Sequence, residues 1–304
     1  MDARITKQRL VNMLSYDWLK ILGAIALAAL FFVTFFLMIG VRPTDGQKFY
    51  VYSYDGVSAG REFSRLSDAM EAEHVFGYDI LDTGSESFEK SGIYGDSVFT
   101  ARRSAGEGRV MFVRDVRTAE DGKVTSDLLT FISYEGTERE AFSIFLDPEV
   151  FLNDCRAYLE PFFGEELAGE INRDKARETF LARNKNDARF RSSSKKEEGV
   201  NQEVARLEKL KEDYLLVSSS VGEGKLLSYV TYETEIKTHT IAFSMEKLNL
   251  TSLVYHTQEK EGETVQTNSG IALCIFNNNE REGDLKYETV NFLAYLLKAY
   301  GVEQ

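Results

Sequence analysis

An uncharged, almost wholly apolar run of 21 residues, Ile21 to Val41, constrains this chain more than any other segment. At ~1.5 Å of rise per residue, such a run spans about 31 Å as a helix, the thickness of a bilayer's hydrocarbon core. Its centre reads Leu30-Phe31-Phe32-Val33-Thr34-Phe35-Phe36-Leu37. A buried core helix of that length ordinarily carries a polar face, and this run has none. It reads as a transmembrane helix. The chain then divides into a tail (1–20), a membrane span (21–41) and a large domain (42–304).

Positive charge beside a span favours the cytoplasm. The tail holds Arg4, Lys7, Arg9 and Lys20 against Asp2 and Asp17, and the other flank has Arg42 and Lys48 around Asp45. The expected topology is single-pass in the cell membrane, with the N-terminus cytoplasmic and the domain extracellular. Tyr16 and Trp18 stand where interfacial aromatics belong. A cleaved signal peptide is the competing reading. Its apolar region would be shorter and would end in small residues. This run ends Leu37-Met38-Ile39-Gly40-Val41, followed by Arg42 and Pro43, which favours an uncleaved signal anchor.

The net charge is −13; residues 1–42 hold five Lys/Arg and two Asp/Glu, so 43–304 carries −16. An acidic domain of that kind disfavours nucleic acid as a partner. Cys155 and Cys274 read as buried free thiols, because two cysteines do not build a disulfide framework. With only Pro43, Pro148 and Pro161 in the chain, a proline-rich stalk is excluded, and the folded domain should begin close to the membrane.

The domain reads as α/β. Residues 48–54 are rich in strand formers, 59–72 carry Phe63, Leu66 and Met70 at helical spacing, and 76–81 read as a second strand closed by Asp82-Thr83-Gly84-Ser85. A helix near 94–105 and a strand at 109–113 complete a βαβ pattern on a parallel or mixed sheet. Asp147-Pro148-Glu149 opens a helix with Phe151, Cys155, Tyr158, Leu159 and Phe162 on its apolar face. Residues 172–213, with twelve basic and nine acidic residues, read as a charged helical insertion that breaks near Ser192-Ser193-Ser194. Strands are expected at 215–219, 226–232, 240–244, 250–256 and 270–276, the last buried on both faces. Asp284 is expected to cap a final helix with Val290, Leu293, Leu297 and Tyr300 on one face, stopped by Gly301.

Chemistry is hard to find. His74, His239 and His256 are scattered, and neither a zinc-binding His pair nor a G-x-S-x-G nucleophile elbow occurs. Ser218 to Lys225 lacks the first glycine and the final hydroxyl of a phosphate loop. Asp82-Thr83-Gly84-Ser85 looks like one aspartic-protease loop, but that chemistry needs two aspartates sharing a proton, and the chain has one copy. No metal or cofactor is expected, and the chain reads as a non-enzyme. Arg183, Lys185, Arg189, Arg191, Lys195 and Lys196 form a basic patch, read either as one solvated helix face or as a docking surface for an acidic partner or the membrane surface.

The order of elements in 48–115, with the apolar strand 270–276 and a terminal helix at 285–300, resembles the extracytoplasmic solute-binding proteins of ABC transporters. The juxtamembrane stretch Leu14-Ser15-Tyr16-Asp17-Trp18-Leu19-Lys20 is similar to that of small membrane-anchored Gram-positive proteins. The resemblance implies a periplasmic-binding-protein-like domain. In open parallel sheets ligands sit beyond the carboxyl ends of strands, which would be Tyr54-Asp55, Asp82-Thr83-Ser85 and Arg114-Asp115. The expected function is a membrane-anchored extracytoplasmic binding or accessory protein, partnered by the bilayer, a small solute, or an integral membrane transporter or envelope complex. The alternative is a structural or assembly subunit of a cell-envelope complex with no small ligand.

Overall fold

The computed structural model describes residues 7, 8, 11, 18–39, 43–54, 56–88, 95–120, 123–134, 144–233, 238–260, 262–278 and 283–301. The chain forms two units, Met1–Arg42 and Pro43–Gln304. The first contains α1 (Trp18–Ile39), whose 18-residue stretch Trp18–Phe35 has a mean hydropathy of 2.1 and buries none of its residues. It is long and apolar enough to cross a bilayer.

The second unit is organised by a six-stranded mixed sheet. Its strands are β1 (Lys48–Ser53), β3 (Asp82–Ser87), β4 (Val110–Arg114), β7 (Ser228–Glu233), β8 (Thr238–Ser244) and β11 (Ile271–Ile275), in the order β3-β1-β4-β11-β8-β7. The β1 strand runs parallel to β3 and β4, while β4–β11, β11–β8 and β8–β7 are antiparallel. A smaller sheet joins β2 (Ser58–Ala59), β9 (Val254–Lys260) and β10 (Glu263–Thr267), and β5 (Thr118–Glu120) pairs β6 (Lys123–Thr125) as a ribbon.

Strand periodicity divides the core cleanly. Phe49 and Val51 of β1, Val110 and Phe112 of β4, and Ile271, Leu273 and Ile275 of β11 point into one cluster. The intervening Tyr52, Met111, Val113, Ala272 and Cys274 point into another. Helices α2 (Leu66–Ala72), α5 (Pro148–Phe163), α7 (Ser193–Ser220) and α8 (Glu288–Tyr300) supply the first cluster; α3 (Gly95–Ser104) and α4 (Asp127–Tyr134) supply the second. The parallel part of the sheet is therefore doubly wound about β1. Cys155 lies in the first cluster and Cys274 in the second, both buried and free, as expected.

Several local expectations hold for stated reasons. Asp147 caps α5 by accepting from the backbone N–H groups of Glu149 and Val150. The charged insertion breaks into α6 (Arg173–Arg183) and α7, and Ser192 accepts from the Lys195 N–H as the α7 cap. Others fail. Residues 76–81 form no strand; their polar groups turn toward the insertion, and β3 begins one residue later, at Asp82. Its six residues are all polar or glycine, as suits an edge strand. Gly84 is needed there, because a Cβ would lie 2.5 Å from the Tyr50 ring. Residues 215–219 continue α7 instead of forming a strand, with Val217 buried and Leu215 exposed. Asp284 does not cap α8: it lies in a 3-10 turn (Gly283–Tyr287), and Tyr287 occupies the cap position. Every residue of α8 from Glu288 to Leu297 is buried, so the expected single apolar face is instead a helix buried all round. By its contacts Pro43–Gln304 is a single unit, separate from Met1–Arg42.

A third cluster, Phe180, Phe190 and Val200 with Tyr78, packs the insertion helices together. Gly199 makes this possible: a Cβ there would lie 2.2 Å from Phe180 Cζ and 2.8 Å from Phe190 Cε1. Glycine to alanine inside a helix ordinarily gains up to about 1 kcal/mol, whereas overpacking a tight core costs about 1–3 kcal/mol. Gly199→Ala should therefore lower the urea midpoint of unfolding; a raised midpoint would show that the helices can part without cost.

Candidate functional site

The chain leaves β1 toward β3 on one side and returns across it to β4 on the other. The crevice beyond the carboxyl ends of β1 and β4 is thus the topological switch point, where open α/β sheets bind ligands. Three expected site residues meet there. The Tyr54 ring, just past β1, packs on Phe99 and Phe131 at centroid distances of 5.3 and 4.8 Å, and its N–H donates to Phe112 O. Arg114 closes β4 and pairs through Nε with Asp127 of α4. Asp115 accepts from Ser126 Oγ at 2.6 Å and from Arg117 Nε at 3.1 Å, and Arg117 donates onward to Thr231 O at 2.7 Å. Asp55 lies outside the described residues. Gly56, with φ +82°, lays the following loop on the ion pair: a Cβ would meet Asp127 Oδ2 at 2.5 Å and Arg114 Nε at 3.1 Å.

The remaining three expected residues are elsewhere. Register places Asp82 beside Lys48 and Ser87 beside Ser53, so Asp82 and Thr83 stand at the amino edge of the sheet, and Ser85 lies mid-strand. Reading 76–81 as the strand had put them at its carboxyl end. Asp82 accepts from Tyr50 OH at 2.7 Å; burial and that carboxylate push the Tyr50 hydroxyl up to about 12. Thr83 Oγ1 and Ser67 Oγ are 2.7 Å apart, and Ser85 Oγ donates to Phe63 O at 2.6 Å. Asp82 and Thr83 line a cavity of about 340 Å³ together with residues of α2 and of 74–81.

The basic patch separates into two kinds of residue. Lys185, Arg191, Lys195 and Lys196 are exposed, with Lys195 paired to Glu198. Arg183 and Arg189 instead turn inward. Arg183 bonds Asp79 Oδ2 at 2.7 Å and also Glu203; Arg189 bonds Asp79 Oδ1 at 3.0 Å and Asp187 at 2.8 Å. Both guanidiniums are thus engaged by carboxylates of the domain itself and are half-buried.

Beneath them lies a fully buried ionic cluster that charge patterning did not reveal. Arg206 donates to Glu203 Oε1 at 2.9 Å and Oε2 at 3.0 Å, to Glu288 Oε1 at 2.7 Å and to Tyr158 OH at 2.8 Å. The side chains of Arg206, Glu203 and Glu288 have no exposed surface. Glu203 also accepts from Tyr78 OH at 2.9 Å, and Glu288 from Asn291 Nδ2 at 2.7 Å. Burial opposes ionisation of Glu203, but the Arg206 and Arg183 guanidiniums overcome it and hold its carboxyl at about 2. Arg206 is held charged well above its ordinary range despite complete burial, by Tyr158, Glu203 and Glu288. Among the described residues no group of three His, Cys, Asp or Glu side chains is placed to hold a metal ion.

Removing one member of a buried ion cluster strands its partners and costs about 3–5 kcal/mol, so Arg206→Met should destabilise on that scale in urea titration. Glu203 adds a pH signature. Its folded value lies below the ordinary 4.5, so its stabilisation is present above about 4.5 and fades as pH falls toward 2. The shift corresponds to a loss on the order of 3 kcal/mol. The urea midpoint should fall less steeply over that acid range in Glu203→Gln than in the unaltered protein; parallel profiles would contradict the assignment.

No family model matches this chain, and a search of curated proteins returns no match. Among solved structures, one described as a "probable secreted solute-binding lipoprotein from Streptomyces coelicolor" aligns at 11% identity with a TM-score of 0.25, covering 84% of this chain and 78% of that one. This is a weak structural likeness, in keeping with the resemblance read from the sequence, and it carries no argument about fold or function.

Proposed function

We propose that the protein is a single-pass, membrane-anchored accessory or binding protein that displays the acidic domain 43–304 outside the cell. The observation that carries this reading is α1: 22 helical residues whose apolar stretch Trp18–Phe35 buries none of its residues among those described, in a unit separate from the domain that holds the core. Uncovered apolar surface on that scale needs hydrocarbon around it. The positive balance of the tail favours a cytoplasmic N-terminus.

The switch point is the surface this reading uses for a solute or a membrane partner such as a transporter. Arg114, Asp115, Arg117, Ser126 and Asp127 supply donors and acceptors there, and a charged ligand would exchange with the Arg114–Asp127 pair. A second reading, as an assembly subunit, is favoured by the insertion. Its helices are fastened by buried ions, which leaves Lys185, Arg191, Lys195 and Lys196 on a rigid support.

Alkaline carbonate should leave the chain in the membrane pellet, and protease added to intact cells should digest the domain. Release by carbonate, a protected domain, or mature protein lacking its first forty-odd residues would overturn the anchor. The two functional readings separate in mild detergent. Arg114→Ala should reduce co-purification of a partner docked at the switch point, and changing the four exposed insertion cations to glutamate should leave it intact. The reverse result would establish the assembly reading.

A further inference from the structure

The cavity at the amino edge of the sheet lies outside the switch point, and its chemistry is of one sign. Glu71 and Asp82 line it with carboxylates, Ser67 and Thr83 with hydroxyls, His74 with an imidazole and Phe76 with a half-buried aromatic ring. Neither lysine nor arginine is among its lining residues. Asp82 is held in place, because Tyr50 OH donates to Oδ2. Thr83 and Ser67 are fixed against each other, with Ser67 Oγ also donating to Thr83 O at 2.9 Å. The Phe76 ring is set by packing on Phe49 at 4.4 Å. These groups are held by the sheet and α2, so little order has to be gained on binding.

The wall behind the cavity strengthens the bias. Gly77 lines it and backs directly onto Arg206, whose Cγ would lie 2.6 Å from a Cβ at that position. In the ionic cluster on that side, Asp79, Asp187, Glu203, Asp284 and Glu288 meet Arg183, Arg189 and Arg206, five carboxylates against three guanidiniums. The cluster adds no positive charge to offset Glu71 and Asp82. Anions are disfavoured on both sides of the wall.

Size narrows the ligand. Small-molecule sites run from about 300 to 1,000 Å³, and about 340 Å³ is at the small end. A bare metal ion does not suit the lining, since among the described residues no three ligating side chains converge. We propose that this cavity binds a small organic cation, a free primary or quaternary amine of metabolite size. Asp82 and Glu71 are its counter-ions, Ser67 and Thr83 its hydrogen-bonding groups, and Phe76 faces the alkyl or ammonium part. The site stands apart from the switch point and depends on none of its residues.

Isothermal titration of the full chain in mild detergent, with putrescine and with choline as probes and acetate as control, tests this. Saturable binding of at least one cation is expected, with no response to acetate. Asp82→Asn and Glu71→Gln should each weaken it by roughly tenfold or more, since each removes one counter-charge. Arg114→Ala, at the far edge of the sheet, should leave it unchanged. Circular dichroism checks that the variants are folded; should Asp82→Asn not fold, Glu71→Gln on the exposed side of α2 carries the test. Absence of saturable binding by both cations at millimolar concentration overturns the proposal. So does equal affinity in the carboxylate variants, binding of acetate, or loss of binding in Arg114→Ala, which would place the ligand at the switch point instead.

Discussion

Arg206 is the constraint on which the rest of the domain depends. A guanidinium without exposed surface has to be matched by charge and by acceptors, and here Glu203 comes from its own helix, Glu288 from α8 and Tyr158 from α5. Three helices distant in sequence are thereby held at one angle and one depth. Apolar packing alone is tolerant of sliding, because leucine side chains fit many holes. A bidentate guanidinium does not tolerate a shift of one residue. The cluster selects the register of α7 against α8. Its net contribution to stability is small beside that role, since desolvation offsets much of the attraction in a buried pair.

That register explains what the charged insertion is for structurally. A second lobe would need its own core, and 172–213 has too few large apolar residues to build one. The insertion instead lays α7 along the first face of the sheet, with Leu207, Leu210, Tyr214 and Val217 in the main core, and closes the outer end with Phe180, Phe190 and Tyr78. The two ends of the parallel strands then differ in character. The carboxyl end is occupied by charges already paired to one another, while the amino end keeps an acidic cavity without a cation in its lining.

Much of this was legible where sequence pattern and burial agree. β1, β4 and β11 announce themselves because both their faces are apolar, and Asp147-Pro148 and Ser192 mark helix starts by chemistry that acts locally. β3 was misplaced because a polar edge strand has no hydrophobic alternation; only pairing with β1 defines it. α7 ran past its expected end because Ser218 and Ser219 satisfy their hydroxyls on Leu215 and Leu216 carbonyls within the helix, which composition does not reveal. At the site, Tyr54, Arg114 and Asp115 come together because they end neighbouring strands, a relation that strand order already implies. Asp127 and Ser126 arrive from beyond a ribbon and carry no local signal. Arg183 and Lys185 look alike in sequence, and only the fold decides that one is half-buried against Asp79 and the other faces water.

Hydrogen exchange of the full chain, compared between the unaltered protein and Arg206→Met, tests the central claim most directly. If the buried guanidinium holds the helices in register, protection should fall together across 173–220 and 288–300 while β4 and β11 keep theirs. Protection unchanged in both helical segments, or lost evenly across the whole domain, would contradict it.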